Sequence, residues 1–225
     1  MQFGKSFTYM FEEDDWVTKI LLAIVIAFIP FVGVLAVSGW MDEIASRVIH
    51  DEDEKLPDWS GFVDYLIKGL VVILIGFVYM LPFIVVQICG ISLAAFTQDA
   101  GDAVSTLGAV SGICLGLFAL VYAVLVGFLL MAAIGIYADT GEIGAAFRIG
   151  EAFKMLKAAP GAYLLVFLGT LLAALIASLG LILCFIGVFV TATYAQTVIA
   201  NLYGQAYREA KKNITGNELL SEPGF

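Results

Sequence analysis

The sequence predicts an all-α fold, a polytopic transmembrane helix bundle of about five spans with amphipathic helices at the interface. Three observations predict it. Of 225 residues, 61% are hydrophobic and only 14% charged, whereas a soluble domain carries about 45–50% apolar and about 25% charged residues. The apolar residues gather into runs close to the roughly 20 residues needed to cross hydrocarbon. All three tryptophans, Trp16, Trp40 and Trp59, fall at the edges of those runs, where aromatic belts form. Lipid then solvates the outside of the helices, and no polar shell is required.

Residues 1–13 read as an amphipathic helix. Phe3, Phe7, Met10 and Phe11 share one face and Lys5, Thr8 and Glu12 the other, so the apolar face suits either the headgroup layer or the bundle itself. The first span, about 17–39, is interrupted by Pro30 and Gly33. A full crossing is the expectation, and a re-entrant hairpin with both termini on one side is the alternative. The acidic run Asp51–Glu54 reads as a solvated loop. A second span follows at about 65–95, with Pro82 inside it, and a third at about 106–136. A short amphipathic segment ends at Pro160. The fourth and fifth spans, about 161–179 and 182–203, are joined through Gly180. Residues 1–212 thus form a single membrane domain, and 213–225 a flexible tail.

Charge excludes several classes of function. The net charge of -9 speaks against nucleic acid, whose phosphates need a positive footprint. Glu12, Glu13, Asp14 and Asp15 ahead of the first run have the wrong sign for a secretory signal. With five crossings, most Lys and Arg share one side, and the positive-inside rule places the C-terminus in the cytoplasm of a multi-pass protein of the cell membrane. Cys89, Cys114 and Cys184 lie in apolar runs and His50 in a charged loop, so no metal constellation or cofactor site is expected.

Small residues recur every fourth position at Gly108, Gly112 and Gly116, and again at Gly169, Ala173 and Ala177. That spacing lets helix backbones approach closely in lipid. It makes these six the candidate helix-packing positions, within the chain or between copies. Thr191, Tyr194 and Gln196 are the candidates for a polar path, or for hydrogen bonds between helices. No charged residue falls deep in a run, which counts against proton-coupled transport. No nucleophile elbow, paired intramembrane acids or His-x-x-x-His helix is present, and no enzyme is expected.

Several short stretches carry a resemblance. They are Phe7-Thr8-Tyr9-Met10-Phe11 with Asp15-Trp16-Val17, Leu56-Pro57-Asp58-Trp59, Tyr137-Ala138-Asp139-Thr140-Gly141 followed by Ala145-Ala146-Phe147-Arg148, and Leu202-Tyr203-Gly204-Gln205-Ala206-Tyr207-Arg208-Glu209. In this order, over residues 3 to 209, the chain resembles a prokaryotic family of polytopic membrane proteins, the domain of unknown function numbered 4013. The resemblance implies the class and no activity. The expected role is a non-catalytic accessory or scaffold protein. Its expected partners are membrane lipid and a membrane-protein partner or second copy. A small permease or channel is the alternative.

Overall fold

The first apolar run does not continue as one helix. Proline cannot donate a backbone hydrogen bond, and beside Pro30 the chain turns through Phe31, whose φ of 62° is the one positive value at a non-glycine among the described residues. Helix α1, Trp16–Ala27, therefore ends, and α2, Val32–Ile49, runs back along it. Two tryptophans record the reversal. The Trp59 indole donates to Lys19 O at 3.0 Å and stacks at 5.2 Å on Trp40, which donates to Pro57 O at 2.9 Å. Lys19 near the start of α1 and Trp40 in mid-α2 thus lie level. The continuous span expected at 17–39 is corrected to a helical hairpin, because Pro30 and the positive φ at Phe31 make a turn there.

The computed structural model describes residues 1–50, 56–97, 102–180 and 184–221. The acidic run Asp51–Glu54, the turn around Asp99–Gly101 and the first residues of the expected fifth span lie outside them. Within them the chain is helical, with no strand. Three helices are long and apolar enough to cross a membrane, over Trp59–Ser92, Gly108–Thr140 and Pro160–Leu179.

Two long helices form a second hairpin. Helix α3, Phe62–Thr97, has 36 residues and α4, Asp102–Thr140, has 39, or about 54 and 58 Å at 1.5 Å per residue. Pro82 does not break α3. Three residues ahead of it, Tyr79 O accepts a hydrogen bond from Tyr122 of α4 at 3.0 Å, an outside donor at the turn that proline weakens. Gly141, at φ 68°, ends α4 by donating to Tyr137 O at 2.8 Å. A single turn, α5 (Ile143–Ala146), and helix α6, Ile149–Ala158, then fold back against α4.

The third hairpin joins α7, Pro160–Leu179, to α8, Cys184–Ser221. Helix α8 runs on to Ser221, so residues 213–221 are helical where a loose tail is expected from 213. The N-terminal segment also departs from expectation. Instead of one amphipathic helix it makes two short 3-10 turns, Gly4–Phe7 and Tyr9–Glu12, laid along α8. The cause is a row of polar residues on α8. Tyr194 donates to Phe7 O at 2.8 Å, Thr197 O accepts from Tyr9 at 3.3 Å, Asn201 accepts from Ser6 at 2.8 Å, and Gln205 accepts from the Gln2 backbone at 2.7 Å. Ser6 and Asn201 are buried.

Helices α2 and α3 cross in close backbone contact. A Cβ on Gly39 would stand 1.9 Å from Tyr65 O, and one on Gly69 would stand 1.8 Å from Leu35 O. Only glycine permits that crossing.

Candidate functional site

Where α2 and α8 cross, they leave a cavity beside the crossing point. Below it Gly204 brings the helices together, since a Cβ there would lie 2.7 Å from Ala45 O. Above it each helix offers one face at the same spacing. Ser38, Met41, Asp42 and Ala45 come from α2, and Gln196, Ile199, Ala200 and Tyr203 from α8. Positions i, i+3, i+4 and i+7 fall on one side of a helix. Val72 of α3 and Ile134 of α4 complete the wall around about 200 Å³.

Asp42 is the unusual member. Its residue is only 4% exposed, and its Oδ1 has no hydrogen-bond partner among the described residues. A buried carboxylate without a partner is expensive, so such a group shifts toward its neutral form. Burial pushes the Asp42 carboxyl up to about 7, against the pull of Lys68 and with some help from Glu43. Its neighbour Glu43 behaves oppositely. Burial would raise it, but hydrogen bonds and charge from Lys68 and Arg47 outweigh that and hold it below the usual range. Lys68 Nζ sits 2.6 Å and Arg47 Nε 3.2 Å from the Glu43 carboxylate.

More charges gather at this end of the molecule. Lys19 pairs with Glu13 and, at 2.9 Å, with Asp58. Asp139 at the end of α4 accepts from Lys211 at 2.7 Å and from Tyr207 at 3.0 Å, and faces His50 at 3.5 Å. The ends of α2, α4 and α8 are tied together by these contacts.

A larger groove, about 430 Å³, lies on the outside between α3, α4 and α6. Val78, Pro82, Val126, Leu129, Phe147 and Ile149 give it apolar walls. Its two tyrosines are occupied, Tyr79 donating to Ala146 O at 2.9 Å and Tyr122 to Tyr79 O.

The residues singled out in the sequence are not brought together. Gly169 and Ala173 pack inside the chain. A Cβ on Gly169 would meet Leu202 at 2.4 Å, Ala173 is fully buried, and Ala177 O accepts from Thr191 at 3.1 Å. Gly112 and Gly116 face open space, and Gly108 is half-buried with its carbonyl bonded to Ser111. Thr191 bonds to carbonyls of α7 and α8, Tyr194 faces the N-terminal segment, and Gln196 lines the cavity. These three do not form one path. The residue that sequence reasoning missed is Asp42, which sits just past Trp40 and reads there as interfacial. Its signal is the spacing from Ser38 to Asp42 to Ala45, which continues the buried face of α2.

A family model matches residues 22–196, with the description "Protein of unknown function (DUF4013)". The matched stretch begins inside α1, covers the α3–α4 hairpin and α7 in full, and stops at Gln196 inside α8. The stretches at 7–17 and 202–209 that also carry the resemblance lie wholly outside it. No curated protein and no solved structure matches the chain.

Proposed function

The chain belongs to the DUF4013 family, which supplies no activity, and from that premise we propose that it is a non-catalytic accessory protein of the cell membrane, holding lipid or a neighbouring membrane protein along α3 and α4. The observation that carries this is the bareness of the far half of that hairpin. Beyond the Phe83–Tyr122 ring contact the two helices continue toward residues 97 and 102. There Val85, Ile88 and Ile91 of α3 and Ile113, Leu117 and Leu120 of α4 are all more than half exposed. A soluble protein does not expose an apolar surface of that extent. In lipid it is solvated, and the open Gly112–Gly116 face lets another helix approach closely. The apolar groove at Phe147 suits an acyl chain.

The proposed topology follows from charge. All three hairpins, α1–α2, α3–α4 and α7–α8, open toward the end that holds the ion pairs. None of the eleven Lys and Arg falls in 69–147 or 158–207, the stretches that reach the far end. With α1–α2 re-entrant and α3, α4, α7 and α8 crossing, the positive-inside rule puts both described ends of the chain on the cytoplasmic side.

Mass spectrometry of the tagged protein, drawn gently from its native membrane, tests the role. A stoichiometric protein partner or one enriched lipid is the expected result, and a bare chain contradicts it. The cavity at Asp42 favours a second reading, a small permease. Purified protein in liposomes that moves a solute, and loses this with Gln196→Leu, would put that reading first.

A further inference from the structure

We propose that the cavity between α2 and α8 is a binding site for a primary ammonium group on a short apolar body, with Asp42 as its anchor. The lining sets the chemistry. Asp42 brings a buried carboxyl whose Oδ1 is unpartnered among the described residues, and Ser38, Gln196 and Tyr203 are the other polar residues lining the same space. A primary ammonium carries three N–H donors and no acceptor, which matches that set. An anion is repelled by Asp42. A divalent cation needs several carboxylates or carbonyls, and the lining has one carboxylate. The rest of the wall, Val72 and Ile134 among it, is apolar and receives an alkyl chain. A cavity of about 150 Å³ holds a benzene ring, so about 200 Å³ takes an amine of four or five carbons.

Nearby charges leave the site free for a cation. Lys68 on α3 is held by Glu43 at 2.6 Å. Besides these two, Asp42 faces the phenol of Tyr137 on α4, and Tyr203 of α8 lines the same cavity. Because burial pushes Asp42 up to about 7, the empty site is largely protonated just below neutrality, and a bound ammonium displaces that proton. Binding is then tighter at pH 8 than at pH 6 by about tenfold, the ratio of ionised carboxyl at the two values. This inference stands apart from the role proposed for α3 and α4.

The test uses the full chain in phosphatidylcholine nanodiscs, titrated with n-butylammonium chloride at constant ionic strength. Tetramethylammonium chloride serves as the control, and fluorescence from buried Trp40 as the readout. The expected results are saturable binding of n-butylammonium only, tightening about tenfold from pH 6 to pH 8. Asp42→Asn should weaken it at least tenfold and remove the pH dependence. Val72→Phe, which leaves the carboxyl in place and fills the cavity, should weaken it too, and decides the matter if Asp42→Asn does not fold. Equal response to tetramethylammonium, unchanged affinity in either folded variant, or no saturable response overturns the proposal. Adding phosphatidylethanolamine distinguishes the source of the ammonium. Competition assigns it to a lipid headgroup and lack of competition to a soluble amine, and both uphold an ammonium site.

Discussion

A carboxyl group taken out of water with an oxygen left unpartnered destabilises the fold whenever it is ionised, and Asp42 is such a group through its Oδ1. Its value of about 7 in the folded protein lies above the roughly 3.9 of an unfolded chain. The folded state therefore holds its proton longer. Stability from this group is fully present below about pH 4 and lost as pH rises through about 7, amounting to about 4 kcal/mol. Asp42→Asn should flatten that loss, so the variant should melt higher than the wild type at pH 8 and much closer to it at pH 5. Thermal unfolding in mild detergent across that range checks it, and parallel curves at both pH values would contradict it. Glycine at the α2–α3 crossing has the opposite tolerance. Gly69→Ala drives a methyl into Leu35 O, an overpacking cost of about 1–3 kcal/mol or more, visible as a lower melting temperature or lost folded yield. At this scale the sequence was least legible. Gly39 and Gly69 show no repeat, because a crossing of two helices needs one small residue from each and not a stripe on either.

Helices were easier to read than their partners. The long apolar runs announce α3, α4 and α7, and Pro82 is tolerated because Tyr122 supplies the weakened turn with a donor. Pro30 and Gly33 mark the α1–α2 break, yet composition alone does not distinguish a kink from a reversal. The reversal is seen in Trp59, which bonds to Lys19 O of α1 while it stacks on Trp40 of α2, contacts between distant parts of the chain. The N-terminal segment shows the same limit. Its helical pattern of aromatics is real, but the polar row on α8 captures Gln2, Ser6 and Phe7 and breaks it into two short turns. Small-residue spacing was informative on α7, where Gly169 and Ala173 bury, and points outward on α4. Gly112→Leu should accordingly leave detergent yield and melting unchanged while reducing what co-purifies with the protein. A loss of folded protein instead would mean that this face is needed by the chain itself.

The whole molecule divides into a charged end and an apolar end. Hairpins that all open the same way collect the ion pairs of Glu43, Asp58 and Asp139 and leave the far tips without Lys or Arg. A reporter fused ahead of Phe3 and one fused after residue 212 should both report cytoplasmic positions, and opposite sides would restore a full first crossing. This organisation was partly legible. Charge sorting along the chain separates an end with Lys and Arg from tips without them, while the number of reversals depends on the turn at Phe31. The bare far half of α3 and α4 is the proposed surface for other membrane components. Photo-crosslinking from position 113 or 117 of α4 in native membranes measures that directly, with position 164 on the exposed face of α7 as comparison. The expected result is one defined protein or one enriched lipid joined at 113 and 117 and not at 164. Adducts matching the bulk lipid at all three positions would contradict it.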